Sequence, residues 1–156
     1  MAELYNYGRK VSVGEFVRQQ IDVNNGANTK VQKIDLQEAL NQCGIAYSKW
    51  ASKTELLNLL YSHYQDWFQI AELFGIGVPA GRYTEAFSFV TSSDVKRLRR
   101  FNQLNVVGTE RFMLYGKMKY APLYDLRQFI EMTEEDMRSL LEQYPKGMRL
   151  SQLANK

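Results

Sequence analysis

The stretch VTSSDVKRLRRFNQL, Val90–Leu104, decides the architecture predicted for this chain. Thr91 or Ser92 can cap the free amides of a helix, and Asp94 suits the first turn. A helix turns by about 100° per residue, so apolar residues three apart share one flank. They are Val95, Leu98 and Phe101. The pattern predicts a helix that packs this flank on a core.

The other side of the predicted helix is cationic. Lys96, Arg100 and Gln103 lie opposite the apolar flank, with Arg97 and Arg99 beside them. Eight cations lie between Thr91 and Arg127: Lys96, Arg97, Arg99, Arg100, Arg111, Lys117, Lys119 and Arg127. Only Asp94, Glu110 and Asp125 oppose them, so this segment carries +5 whereas the whole chain carries +3. This concentration favours an anionic partner, although a basic helix face taken alone is more often simply solvated.

A predicted hairpin follows the helix. The run TERFMLYGKMKYAPLY, Thr109–Tyr124, contains two strand-like segments around Tyr115-Gly116-Lys117, and Pro122 closes the second. Before the basic helix, RYTEAFSF predicts a short helix and a turn. The region of about 82–130 resembles the winged helix-turn-helix of the MerR and excisionase type. That family usually places glycine in the tight turn, where this chain has Ser88 or Phe89.

A second resemblance covers about 33–61. Leucines predict two helices, with Gly44 as the end of the first and Ser52 or Thr54 at the start of the second. This region resembles the SAP and HeH family of helix-extended-helix DNA-binding modules, through Leu36, Leu40, Gly44, Ile45, Lys53, Glu55, Leu56 and Leu60. The resemblance implies that Lys53 and Thr54 lie near phosphate, with Lys49 on the connector adding a contact. The connector is about two residues longer than usual and carries Trp50. A plain supporting helical hairpin is the alternative.

The predicted fold is mainly α with a small β-hairpin wing. A helical part spans 1–74, a Gly- and Pro-rich linker 75–81, a winged helix-turn-helix 82–131, and a C-terminal helix and tail 132–156. Within the first part we expect residues 1–10 to be loosely held, a helix from Ser12 to Ile21, a loop at 23–30 and one helix over Tyr61–Phe74. Asp125 and Thr133 are expected to cap two later helices, and the tail from Pro145 is expected to fray.

Catalytic chemistry finds no support in this sequence. The only histidine, His63, lies in a Tyr-rich helical stretch, and the only cysteine, Cys43, falls on the apolar side of a predicted helix. The adjacent acids Glu134, Glu135 and Asp136 point different ways in a first helical turn, which suits the helix dipole better than a metal. We expect a non-enzyme without cofactor, metal or small-molecule substrate. The lone cysteine and the absence of a signal peptide or a long apolar run predict a cytoplasmic protein.

The function predicted from these patterns is that of a double-stranded DNA-binding accessory or regulatory protein. The resemblance implies a prophage or mobile-element setting. The predicted DNA contacts are Lys49, Lys53, Thr54, Ser92, Lys96, Arg97, Arg99, Arg100, Gln103, Arg111, Lys117 and Lys119. Two alternatives stay open. One is an adaptor that binds a protein, or a second copy of itself, through its helices and whose winged fold is only structural. The other is an RNA-binding protein that stacks bases on Tyr115, Tyr120 and Trp50.

Overall fold

The computed structural model describes residues 3–6, 8–22 and 31–149. Along these ranges the elements run β1 (Leu4–Asn6), β2 (Arg9–Val11), α1 (Val13–Asp22), α2 (Lys33–Gln42), α3 (Lys53–Tyr64), α4 (Trp67–Leu73), β3 (Val78–Pro79), α5 (Ala80–Ala86), α6 (Ser92–Arg100), β4 (Val106–Leu114), β5 (Lys117–Tyr124), α7 (Leu126–Glu131) and α8 (Glu134–Gln143). The expected loop at 23–30 and the end of the tail lie outside the described residues. The mainly α prediction is confirmed in coarse form, with two small antiparallel sheets.

The chain divides into two compact units between Ile76 and Gly77. The N-terminal unit, Leu4–Ile76, contains the strand pair β1–β2 and helices α1 to α4. Its core is built from residues at helical spacing that the structure buries: Phe16, Val17, Ile21, Leu36, Leu40, Leu56, Leu57, Leu60 and Ile70. Helices α2 and α3 pack against each other, and both α1 and α3 contact α4. The apolar faces of these helices therefore pack together in one shared core.

Several capping predictions for this unit are confirmed. The Ser12 hydroxyl accepts a hydrogen bond from the Glu15 amide at 3.2 Å, and Ser52 accepts one from the Glu55 amide at 3.1 Å. Gly44 and Gly75 follow the ends of α2 and α4 with φ of 72° and 68°, the left-handed conformation that glycine adopts without strain.

Two predictions for this unit are wrong. Residues 1–10 were expected to be loosely held, but within this range β1 pairs with β2 through partners such as Leu4 and Val11, both buried. Residues 1, 2 and 7 lie outside the described residues. Tyr61–Phe74 is not one helix, because α3 ends at Tyr64 and Gln65 has a positive φ of 54°. Asp66 then caps α4 by accepting from the Phe68 amide at 2.9 Å. The Asp66 cap thus starts a new helix where the apolar pattern alone predicts that the first helix continues.

The C-terminal unit consists of the chain from Gly77 onward and also includes Glu3. Strand β3 pairs with β5, and β5 pairs with β4, so the sheet order is β3-β5-β4. Helix α5 packs on α6, and α6 also contacts α8. Tyr83 of α5 is fully buried, with its ring edge-on to Phe129 at 4.9 Å and to Tyr124 at 5.8 Å. This aromatic cluster joins α5, α7 and the base of the hairpin.

The predicted linker at 75–81 must be corrected. Val78 and Pro79 form β3 against Tyr124 and Leu123, and Ala80 already begins α5. A Cβ added to Gly77 would overlap the Tyr124 carbonyl oxygen. The glycine therefore permits a close backbone approach at the sheet edge, and most of the Gly- and Pro-rich run is part of the C-terminal unit.

The later capping predictions are confirmed. Asp125 accepts from the Arg127 amide at 3.3 Å at the start of α7, and Thr133 and Asp136 form a reciprocal capping box at the start of α8. Across the ranges that the structure describes, helices are too short or too polar for any of them to cross a bilayer.

Candidate nucleic-acid interface

Helix α6 is delimited at both ends by local hydrogen bonds. At its start the Thr91 hydroxyl accepts from the Asp94 amide at 3.2 Å, and the Asp94 carboxylate accepts from the Thr91 amide at 2.9 Å. At its end Asn102 has a positive φ of 60°, its amide donates to the Arg99 carbonyl at 2.9 Å, and the Gln103 amide donates to the Leu98 carbonyl at 2.8 Å. This is a Schellman ending with asparagine in the glycine position.

The exposed side of α6 is polar and mostly cationic. Ser92, Lys96, Arg99 and Arg100 are all exposed, whereas Val95 and Leu98 are fully buried. The exposed four follow the spacing i, i+4, i+7, i+8, which places them in one stripe along the helix. We call these four residues the α6 stripe. It carries three positive charges and does not contribute to the core, so it is available to an anionic partner.

Arg97 does not belong to the α6 stripe, and its predicted DNA contact must be corrected. Its side chain is 9% exposed, and its Nη2 donates to the Asp94 carboxylate at 2.7 Å. Its Nε donates to the Tyr144 carbonyl at 2.8 Å, just beyond the end of α8. Arg97 therefore ties α6 to the C-terminal helix. Helical periodicity predicts that Arg97 lies beside the exposed face of α6, but α8 packs at that position and covers the side chain.

The predicted DNA contact of Gln103 must also be corrected, for a different reason. The helix was expected to continue to this residue, but α6 ends at Arg100, and Gln103 follows the left-handed Asn102. It is half-buried, and its Nε2 donates to the Phe101 carbonyl at 3.0 Å. The α6 stripe therefore stops at Arg100. Asn102, a residue that tolerates the left-handed conformation, was the sequence signal for this ending.

The predicted hairpin is present and forms a long two-stranded arm. Leu114 pairs with Lys117, leaving a two-residue turn at Tyr115 and Gly116 with φ of 51° and 74°. Positive φ at both positions defines a type I′ turn, which matches the twist of the strands. All residues from 109 to 120 are exposed. Asparagine is favoured at the first turn position, and a bulky tyrosine there is strained by about 1–2 kcal/mol.

The register divides the arm into two faces, because residues directly opposite in an antiparallel pair point to the same side. One face carries the pairs Arg111–Tyr120, Met113–Met118 and Thr109–Pro122; we call it the Arg111 face. The other carries Phe112–Lys119, Leu114–Lys117 and Glu110–Ala121; we call it the Lys119 face. The three predicted cations of the hairpin therefore do not act together, because Arg111 lies on one face and both lysines lie on the other.

A groove joins the Arg111 face to the end of α6. It has a volume of about 660 Å³. Its lining comes from the helix end, the following loop and the hairpin: Arg99, Asn102, Leu104, Asn105, Val106, Thr109, Tyr120, Ala121 and Pro122. The groove thus combines a cation of the α6 stripe with two asparagine amides and the Tyr120 ring. Asn102, Asn105 and Thr109 were not among the predicted contacts. Asn102 lies beside Arg99 because it ends α6, whereas only the folded hairpin brings Thr109 into the same groove.

In the N-terminal unit, the predicted contacts cluster at the start of α3. Lys53 and Thr54 are its first two residues, and Thr54 is exposed. On the connector, the Lys49 ammonium lies 5.1 Å from the centre of the Trp50 ring, which is 82% exposed. The arrangement offers two lysines and an aromatic surface near a helix N-terminus, where an anion is favoured.

Three tyrosines among the described residues have pKa values above the ordinary tyrosine value: Tyr64, Tyr83 and Tyr124. Cys43 is half-buried at the end of α2 rather than buried on its apolar side, and its sulfur lies 3.3 Å from the Tyr64 hydroxyl. This hydrogen bond is the main cause that raises the pKa of Tyr64, and burial of the hydroxyl raises it further. Burial raises the pKa of Tyr83 and of Tyr124, whose hydroxyls lie in the aromatic core. Among the described residues, no group of three or more His, Cys, Asp or Glu side chains is placed to hold a metal ion.

Comparison of the chain with protein-family models, curated proteins and solved structures finds no match.

Proposed function

We propose that the C-terminal unit is a winged helix-turn-helix and that the protein is a non-enzymatic, double-stranded DNA-binding accessory or regulatory protein. The observation that carries this proposal is the α6 stripe: an exposed row of cations on a helix whose opposite side is fully buried. The order β3, α5, α6, β4, β5 supports it, because a short helix packs on the basic helix and a hairpin follows directly.

The proposed mechanism assigns different roles to the exposed cations. Lys96 and Arg100 of the α6 stripe enter the major groove, where arginine and lysine are the usual readers of guanine. Arg99 lies in the groove beside the hairpin, where it meets a backbone phosphate. Lys117 and Lys119 share a face of the arm and add phosphate contacts. Arg97 has no contact with DNA in this mechanism.

A salt titration of duplex binding tests the proposal. Wild-type protein is expected to bind a duplex of random sequence, with an affinity that falls steeply as salt rises, because each neutralised phosphate contributes about 0.9 to the slope of log K against log salt. Lys96→Ala with Arg100→Ala should weaken binding and flatten that slope. The matched control is Lys33→Ala with Lys146→Ala, which removes the same charge from exposed positions outside α6 and the hairpin. Equal effects of the two pairs would contradict the proposal.

A protein-interaction adaptor is the second candidate, favoured by the apolar side chains exposed on the hairpin. Phe112, Met113, Leu114 and Met118 are all more than two-fifths exposed. A mainly apolar interface would change little with salt, so the same titration separates the two functions. RNA binding is separated by competition, since structured RNA should displace a labelled duplex poorly if the α6 stripe reads the major groove of DNA.

A further inference from the structure

The tip of the hairpin presents large apolar side chains to solvent. Tyr115 is 94% exposed at the turn, and its neighbours Met113, Leu114 and Met118 are also exposed. These side chains stand at the far end of an arm whose base is anchored by the buried Leu123 and Tyr124. They therefore add nothing to the core, and the arm presents them at a distance from it.

The turn itself holds Tyr115 in an unfavourable backbone conformation. With φ of 51°, a tyrosine occupies the position where asparagine or glycine is preferred in a type I′ turn. A strained bulky residue in an exposed turn points to a role for its side chain, since strain of this kind collects at functional positions. The following Gly116, with φ of 74°, has the residue type that this turn requires.

Positive charge lies directly behind the tip. Lys117 and Lys119 share a face of the arm with Leu114 and Phe112, according to the register of the strands. An apolar tip backed by lysines on one face fits a partner that has an anionic exterior and an apolar interior. Duplex DNA is such a partner, because its phosphates flank stacked bases.

We propose that the tip of the arm is a wedge that inserts the Tyr115 side chain between base pairs from the minor groove and bends the duplex. The proposal rests on the proposed DNA binding and adds a mechanical activity to it. Lys117 and Lys119 hold the arm against the phosphates on either side of the opened step. Unstacking one step is compensated by the longer stretch of protein surface that bent DNA contacts.

The test uses a duplex carrying a fluorescent donor and acceptor at its two ends, and it compares wild-type protein with Tyr115→Asn and Tyr115→Phe. Wild-type protein should raise energy transfer, as expected for a kink of about 20–90°. Tyr115→Asn should still bind, measured by anisotropy, but should reduce the rise by at least about half. Tyr115→Phe keeps the wedge and should bend as wild type does. Because asparagine suits the turn, Tyr115→Asn should unfold at the same or a higher temperature, so a loss of bending is not a loss of fold.

Each other outcome overturns the wedge. Binding without a bend by wild-type protein overturns the wedge but leaves the proposed DNA binding in place, whereas no binding to any duplex overturns both. An unchanged bend with Tyr115→Asn shows that another part of the chain bends the DNA. If Tyr115→Asn instead converts a wild-type dimer to a monomer in light scattering, while the bend is retained, the tip is a protein interface.

Discussion

Replacing Arg97 by methionine should destabilise the C-terminal unit without removing a DNA contact. The arginine donates to the Asp94 carboxylate at 2.7 Å and to the Tyr144 carbonyl at 2.8 Å, so it links α6 to the end of α8. Methionine keeps a similar apolar stem for packing but can make neither hydrogen bond. The change therefore isolates the guanidinium from the rest of the side chain.

The magnitude follows from the surroundings of the two acceptors. A hydrogen bond involving a charged group contributes about 1.5–3 kcal/mol, and a buried acceptor left without its donor carries a further cost. Asp94 is 18% exposed and keeps its hydrogen bond from the Thr91 amide, and Tyr144 is only half-buried, so both acceptors can recover some solvation. We expect Arg97→Met to lower the free energy of unfolding by about 2–4 kcal/mol.

Urea unfolding followed by far-ultraviolet circular dichroism measures this change, with Lys96→Met as the control. Lys96 is exposed one residue earlier on the same helix, so its replacement should change stability by less than about 0.5 kcal/mol. Both tryptophans, Trp50 and Trp67, belong to the N-terminal unit, so tryptophan fluorescence follows that unit separately.

Two results would refute the reasoning about Arg97. If Arg97→Met unfolds at the same urea concentration as Lys96→Met and wild type, the buried link between α6 and α8 contributes nothing. If Arg97→Met is as stable as wild type but binds duplex DNA more weakly, the guanidinium contacts DNA, as the sequence pattern predicts.

Three further predictions concern the arm, the sheet edge and acid stability. Lys117→Ala with Lys119→Ala should leave thermal stability nearly unchanged and reduce the salt slope of duplex binding by about two, and an unchanged slope would exclude both as phosphate contacts. Gly77→Ala should lower the free energy of unfolding by about 1–3 kcal/mol in urea titrations, because its Cβ would overlap the Tyr124 carbonyl oxygen; a neutral effect would contradict that close approach. Burial raises the pKa of Asp94, but hydrogen bonds from Thr91 and from the Arg97 guanidinium lower it by more. The pKa of Asp94 therefore lies below its ordinary value. Its stabilising contribution should therefore be full above about pH 4 and be lost as the pH falls further, and an Asp94→Asn variant should lose less stability over that acid range.

Much of the local structure could be predicted because its causes are local. Thr91 and Asp94 start α6 through a capping box that is readable in the sequence, and the turn at Gly116 is marked by strand-like runs on both sides. Such signals act over three or four residues, so they survive in any tertiary context that tolerates the element. The same reasoning overlooked Asn102, because asparagine ends a helix less often than glycine does.

The sequence by itself determined most of the helices, several of their caps, the hairpin and the concentration of positive charge between Thr91 and Arg127. Only the tertiary structure decided which of those charges reach solvent. Arg97 and Arg99 look alike in the sequence, yet α8 covers the first, and the second lines a groove beside the hairpin. The physical reason is that helical periodicity gives the direction of a side chain from its own axis, whereas burial depends on which distant segment packs there.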